Sequence, residues 1–507
     1  MQRVSLRLVH ILTRATSSSF IHAATPSTSL APSHRHFASS QHLRSQPSSQ
    51  PIPTLPAHPL SRASMPDSIS VTFLGTAAGK PSPTRNVSSL ALKVDKAIWV
   101  VDAGEATQHQ FQKSKLRMSQ ITHIFITHMH GDHVNGLPGL LCTASEGHAQ
   151  LDQTLTGSGA ASLTSSDEPV TIIYGPSGLR QFLRTTLSLT YSYLARPYVV
   201  HELLFPGDPI CPPPPSASTS NSPSSEDERA PHRNVSTNER PGLDLCINEA
   251  SQGWENFVTL GDGAVKVSAG PIKHTVPCLG YIFQELPRPL PLDPKLYVPH
   301  LKRNAPALLA TQGIRNPLSL LSVLTSQRKS LTLPDGTLLQ PPALGPKGRK
   351  LVILGDTYDA LGGSIERWSQ DADLVIHEAT NAFLPQNDES QQNKSDITLG
   401  SVRRKAKEHG HSTPEGAGEF ARRVGAKALV MNHLSGRYTD YGLKEEDEEA
   451  MEETEGVRAG RDMLREMEDL ATRAWLGDAQ EGEGEGRPRA RTARDLMEVV
   501  VKRRDKM

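Results

Sequence analysis

Thr127-His128-Met129-His130-Gly131-Asp132-His133 follows directly on the apolar run 121–126 and precedes the turn Gly136-Leu137-Pro138-Gly139. Three imidazoles and a carboxylate within six residues cannot share one face of a regular element. A loop at the end of a buried strand aims them at one point. Imidazole nitrogen and carboxylate oxygen are the donors that zinc takes in open, catalytic sites. Two such ions, about 3.5–4 Å apart, activate a bridging water and stabilise a leaving oxygen. A histidine-rich surface loop also binds metal adventitiously, but the strand before this one and the glycine turn after it mark a built site.

A binuclear centre needs roughly seven or eight ligand positions, so further ligands must come from later strand ends. His274 follows the strand-like run 265–269, Asp356 follows 350–354 in Leu354-Gly355-Asp356-Thr357, and His433 follows 428–431. Taken singly, each also reads as an ordinary core or turn residue; their recurrence at strand ends is the signal. An aspartate suits a bridging position because each oxygen can hold one ion. His377-Glu378-Ala379-Thr380 and His411-Ser412-Thr413 add a carboxylate that can raise the basicity of an imidazole and make it a proton donor.

Outward from these points, strand-like runs lie at 70–74, 88–94, 97–102, 170–174, 198–205, 280–284 and 374–377, with helical stretches at 177–190, 398–409 and 414–424. Strands followed by helices in two successive halves predict an α/β chain folded as an αββα sandwich. Two stretches, 143–168 and 207–252, are too poor in apolar residues to bury and read as surface loops. The charged stretch 444–475, followed by a Gly/Glu-rich tract, reads as a solvated face and a loop.

In the 507 residues, 54 Lys+Arg balance 54 Asp+Glu, so any nucleic-acid surface must be local. Hydrophobic residues are 36%, with 38 Gly and 39 Pro, so part of the chain lies outside any core. Cys142, Cys211, Cys246 and Cys278 lack CxxC spacing, against a disulfide framework or a cysteine zinc knuckle, and fit a reducing compartment. No run reaches the roughly 20 apolar residues of a membrane-spanning helix. Before Asp67 the chain carries arginines and no acid, the profile of a transit peptide, so residues 1–64 are expected to be a mitochondrial transit peptide and disordered tail, a disordered tail alone being the other reading. A plastid address fits the same composition. Initiation at Met65 would give a second, cytosolic or nuclear form.

The ordered motifs resemble those of ribonuclease Z, the tRNA 3′-processing endonuclease of the metallo-β-lactamase superfamily. They are His128-Met129-His130-Gly131-Asp132-His133, Phe73-Leu74-Gly75-Thr76, Pro81-Ser82-Pro83-Thr84-Arg85-Asn86, His274-Thr275-Val276-Pro277, Gly355-Asp356-Thr357, His377-Glu378-Ala379-Thr380, His411-Ser412-Thr413 and His433-Leu434-Ser435-Gly436-Arg437-Tyr438. The resemblance covers about 68–501, with Asp495-Leu496-Met497-Glu498 similar to the family's closing strand. It implies two zinc ions per subunit, with manganese or another divalent ion as the alternative. His128, His130 and His274 would hold one, Asp132, His133 and His433 the other, with Asp356 bridging. Asp132 would orient the attacking water, and His411, assisted by Glu378, would protonate the leaving 3′ oxygen. The products would be a tRNA 3′-hydroxyl and a 5′-phosphorylated trailer.

Thr84, Arg85 and Asn86 fall in the loop that contacts the acceptor end in the family; Pro83 stands where the family's pattern has Lys. A tRNA-gripping arm is expected near 287–335, where the basic stretch 287–349 includes Lys302 and Arg303. A single HxHxDH set implies the short form, hence a homodimer acting on precursor tRNA and not on DNA. Two other readings of the same residues are a metal-dependent phosphodiesterase of small diesters on this fold and a non-catalytic RNA-binding protein.

Overall fold

The computed structural model describes residues 66–145, 169–211, 238–261, 263–388, 390–392, 394–440, 455–477 and 488–503. The N-terminal tail, the insertion beyond residue 145, the Pro/Ser tract 212–237 and the acidic run up to residue 454 lie outside them.

The first three strands, β1 (Ile69–Gly75), β2 (Ser89–Val94) and β3 (Ala97–Val101), form an antiparallel meander. Next to it β4 (Ile121–Phe125), β5 (Thr171–Pro176) and β6 (Tyr198–Leu204) add in parallel, and β7 (Glu239–Arg240) and β8 (Asp244–Cys246) both pair with β6. A second meander, β9 (Trp254–Leu260), β10 (Val265–Ile272) and β11 (Cys278–Glu285), starts the other sheet. After a separate hairpin, β12 (Leu331–Thr332) and β13 (Leu338–Leu339), that sheet is completed by β14 (Lys350–Leu354), β15 (Leu374–Glu378), β16 (Leu429–Asn432) and β17 (Arg491–Thr492), parallel to one another. The last strand, β18 (Glu498–Val500), returns to the first sheet beside β1.

Alternation along the strands sorts their side chains into three cores. Val71, Phe73, Trp99 and Phe125 of the first sheet meet Val267, Tyr281, Phe283 and Ile353 of the second, so the two sheets pack face to face. The opposite face of the first sheet, with Ala91, Val100 and Ile124, is covered by α1 (Thr107–Lys113), a helix over 137–145 that follows the short α2 (Gly131–Val134) and is called α3, and α4 (Leu179–Leu189). The opposite face of the second sheet, with Ile282, Val352 and Val375, is covered further along the chain. Those layers make the predicted αββα sandwich.

Between β11 and β14 the chain builds a module of its own from α5 (Pro294–Arg303), α6 (Ala305–Gln312), α7 (Leu321–Thr325) and the β12–β13 hairpin. Leu301, Leu308, Leu324, Leu333 and Leu339 form its core. The predicted boundary at 335 cuts the hairpin turn; the module's root closes where Leu290 N donates to Ala343 O at 2.8 Å and Gly345 N to Arg288 O at 2.8 Å. Beyond it follow α8 (Ser364–Trp368), α9 (Leu399–Glu408), α10 (Pro414–Arg423) and α11 (Glu455–Leu476), of which α8, α10 and α11 lie on the outer face of the second sheet.

Two loop assignments are corrected. The stretch 207–252 contains β7 and β8, because Leu243, Leu245 and Ile247 alternate toward the inter-sheet core and Asp244 pairs with the buried Arg180 at 2.9 Å. The charged stretch from 457 to 475 is not a solvated face. In α11, Val457, Gly460, Met467, Ala471 and Trp475 are buried at helical spacing, the last three in one core with Ala417, Phe420 and Ala421 of α10. The two helices approach so closely at Gly418 that a Cβ there would lie 2.3 Å from Ala471 O.

Trp475 is 4% exposed within this cluster, so Trp475→Ala is expected to destabilise the fold by about 3–5 kcal/mol. A denaturant midpoint lowered at unchanged slope would show it; a loss below about 1 kcal/mol would return α11 to the surface.

Candidate metal centre and active site

Every candidate ligand follows the end of a strand. His128 and His130 leave β4, and α2 lifts Asp132 and His133 over the same point. His274 sits in the β10–β11 turn, Asp356 two residues after β14, and His433 one residue after β16. The structure brings the seven together. Donor atoms of His128, His130, His274 and Asp356 lie within 4.8 Å of one another, as do those of Asp132, His133 and His433. Asp356 stands between the two groups: its carboxylate is 3.7 Å from His128 Nε2, 3.4 Å from His133 Nε2 and 3.3 Å from His433 Nε2.

The outer ring nitrogens decide which atoms face inward. His274 Nδ1 is 2.8 Å from Gly410 O, an acceptor only, so it donates and Nε2 is left with its lone pair. His133 Nδ1 donates in the same way to Asp102 Oδ2 at 2.8 Å. Thr127 Oγ1 gives its proton to Asp102 at 2.8 Å, so it accepts from His128 Nδ1 at 3.0 Å. Thr380 Oγ1 has Glu378 Oε2 at 2.6 Å to donate to and accepts from His433 Nδ1 at 3.0 Å.

The inward nitrogens of these four are therefore lone pairs: His133 Nε2 and His433 Nε2 are 3.2 Å apart, and His130 Nδ1 lies 3.1 Å from His128 Nε2 and 3.2 Å from His274 Nε2. Such a set is repulsive unless a cation lies within it. The chemistry fits divalent metal, zinc first among the metals that take imidazole and carboxylate together. Without a cation, burial would strip the proton from His133, yet the charges of Asp356 and Asp102 outweigh burial and raise it well above the ordinary imidazole range.

Beside this set, His411 Nδ1 is 3.1 Å from Glu378 Oε1 and 3.8 Å from Asp356 Oδ2. Burial alone would lower His411, but the Glu378 hydrogen bond and charge, with those of Asp356 and Asp132, push it up to about 9. Glu378 is buried and accepts from Thr357 N at 2.8 Å as well as from Thr380. Although burial opposes ionisation of its carboxyl, the His411 contact keeps it below the usual range. The protonated His411 is 19% exposed at its side chain, enough to face a substrate.

The predicted substrate-binding residues fare differently. Arg85 is 1% exposed, its guanidinium donating to Tyr438 O at 3.0 Å, Thr76 Oγ1 at 2.8 Å and Ala493 O at 2.7 Å. It is a brace for the loop, not a surface contact. Thr84 Oγ1 accepts from Asp440 N, and Asn86 is tied through its backbone N to Asp495 Oδ2 at 2.7 Å. That loop reaches the centre through its backbone: Gly79 N donates to Asp132 Oδ2 at 2.8 Å.

On the module between β11 and β14, Lys302 is exposed, whereas Arg303 is held by Asp335 at 2.6 Å. At the module's root Arg349 is buried and paired with Glu285 at 2.7 Å, and Lys350 Nζ bonds Trp368 O and Gln370 O. The basic excess that remains outward is Lys295, Lys302, Arg315 and Lys329. Asp102 and Gly410, which orient imidazoles, lie outside the motifs that the sequence singles out; an acid ending an apolar strand, as Asp102 does after β3, is the available signal for one of them.

A model of the anti-Pycsar protein Apyc1 family matches residues 69–150. The zinc phosphodiesterase ELAC protein 1 of Bos taurus is 35% identical over 75% of this chain and 90% of its own length. A ribonuclease Z of Prochlorococcus marinus is 33% identical over 73% of this chain and 89% of its own. A crystal structure of human tRNase Z, short form, covers 85% of this chain and 99% of that one at 26% identity, with a TM-score of 0.45.

Asp102 orients two of the imidazoles, so Asp102→Ala is expected to weaken metal binding by about 10- to 100-fold in a chain that still folds. Metal content after dialysis against a chelator series would read it, and wild-type retention would remove Asp102 from the centre.

Proposed function

Since the chain belongs to the ribonuclease Z family, we propose that it removes 3′ trailers from precursor tRNA at this centre, leaving a tRNA 3′-hydroxyl and a 5′-phosphorylated trailer. It is a hydrolytic endoribonuclease of tRNA 3′ processing on a metallo-β-lactamase fold. The observation that carries the reading is the His411–Glu378 couple, a proton held 3.1 Å from a buried carboxylate and directly beside the inward-facing donors.

His128, His130 and His274 would hold one zinc ion, Asp132, His133 and His433 the other, with Asp356 shared. Two divalent cations supply Lewis acidity and neutralise charge on the phosphoryl oxygens. Asp132, fixed by Gly79 N, orients the attacking water and takes its proton. His411, 3.8 Å from Asp356 Oδ2, gives its proton to the leaving 3′ oxygen, and Glu378 steadies the imidazole through the transfer. The module between β11 and β14 offers Lys295, Lys302, Arg315 and Lys329 to phosphates without reading sequence. We further assign the chain to a homodimer and residues 1–64 to mitochondrial targeting, on the family resemblance and the acid-free, arginine-bearing composition of that tail.

Incubation of the zinc-loaded protein with a precursor tRNA bearing a 3′ trailer should give a single cut after the discriminator base, absent in Asp132→Ala. His411→Ala should keep its metal and slow cleavage by roughly 10²–10⁴-fold; an undiminished rate would end that role. Replacing residues 291–342 by a short Gly/Ser link across the hydrogen-bonded root should abolish precursor cleavage and leave hydrolysis of a small chromogenic diester intact. Hydrolysis of the small diester alone by the wild type would move the function to a small-diester phosphodiesterase. Binding without any hydrolysis would make it an RNA-binding protein.

A further inference from the structure

We propose that the cationic helix α9, whose Lys405 and Lys407 flank the buried Ala406 on either side, is a second phosphate-backbone contact, for the acceptor end of the tRNA on the leaving-group side of the centre. It rests on the reading above. The helix carries Arg403, Arg404, Lys405 and Lys407 against one acid, Glu408, and its one buried residue is Ala406. A capping box fixes its start: Thr398 Oγ1 accepts from Ser401 N at 3.1 Å and Ser401 Oγ from Thr398 N at 2.9 Å.

Its end is fixed to the centre. His411 N donates back to Ala406 O at 2.8 Å, and Gly410 O accepts from His274 Nδ1 at 2.8 Å. Gly410 has φ +82° and a Cβ there would lie 2.5 Å from His274 Nδ1, so only glycine allows this approach. The cationic helix thus ends at Glu408, three residues before the proposed proton donor, and the His411 N–Ala406 O bond ties that turn back onto it. Its charge continues toward His274: Lys407 Nζ lies 5.5 Å over the Tyr358 ring, and Tyr358 N donates to Lys273 O at 3.0 Å.

Nearby acids neutralise part of the set. Arg403 pairs with Glu415 at 3.7 Å, Arg404 with Glu408 at 3.9 Å and Lys273 with Asp359. Lys405 and Lys407 have no carboxylate within 4 Å among the described residues and remain exposed. Complementing the helix dipole accounts for a cation in the last turn, not for four in the last six residues of a helix whose end is tied to His411.

The direction of cleavage places the RNA. His411 protonates the 3′ oxygen of the mature tRNA, so the strand leaving the centre past His411 and onto α9 is the acceptor end rather than the trailer. The module between β11 and β14 is a separate contact, built on its own core.

The test uses the full chain and mature tRNA with a 3′-hydroxyl, with binding followed by fluorescence anisotropy across a salt series. Lys405→Gln/Lys407→Gln keeps strong helix formers and is expected to weaken binding by about tenfold and to flatten the slope of log K against log salt by roughly 1.5–2. Lys405→Arg/Lys407→Arg should restore both. With precursors, the rise in KM should be the same for short and long trailers. Wild-type affinity and slope in the glutamine pair would overturn the proposal, as would a KM effect that grows with trailer length. A wild-type chain that neither cleaves the precursor nor binds the mature tRNA would instead overturn the proposed function.

Discussion

Four inward-facing imidazole lone pairs around a shared carboxylate are the constraint on which the rest of the structure turns. Buried nitrogen acceptors about 3 Å apart repel one another unless positive charge lies within them. The fold answers with a second ring of groups whose purpose is to keep the donors in this opposed state. Asp102, Thr127, Thr380 and the Gly410 carbonyl each occupy an outer nitrogen, so none of these four imidazoles can turn its proton inward without losing a hydrogen bond. The high proton affinity of His133 is the same demand for positive charge seen from another side.

The strand ends deliver these groups with little freedom. In the second sheet β14, β15 and β16 run parallel and place Asp356, Glu378 and His433 at one edge, while β4 delivers the histidine loop from the first sheet. Because the sheets pack through an aromatic core of Trp99, Phe125, Tyr281 and Phe283, the two edges are held in register by a rigid contact. Tyr281 Oη also donates to Ile126 O at 2.8 Å, one residue before the histidine loop begins, tying packing to ligand position.

The donors were legible in the sequence because each ends an apolar run, and strand ends are where open α/β sheets collect polar groups. What could not be read was set by distant partners. Arg85 looks like a phosphate contact in a basic loop, yet its acceptors, Tyr438 O and Ala493 O, lie 353 and 408 residues away, and they draw the guanidinium inward. Arg349 is likewise claimed by Glu285. The strand β8 was hidden beside a Pro/Ser tract whose composition outweighed three alternating apolar residues. In α11 the high charge masked a heptad-like stripe ending at Trp475.

The brace around Arg85 also has a consequence for how the enzyme is made. The loop that fixes Asp132 depends on Ala493 O and on the Asp495 carboxylate, which accepts from Thr76 Oγ1, Asn86 N and Gln110 Nε2, each at 2.7 Å. A nascent chain emerging from the ribosome has its histidine loop long before it has this clasp. The brace for Asp132 is therefore completed only by the last strands of the chain, more than 350 residues after the loop that it serves.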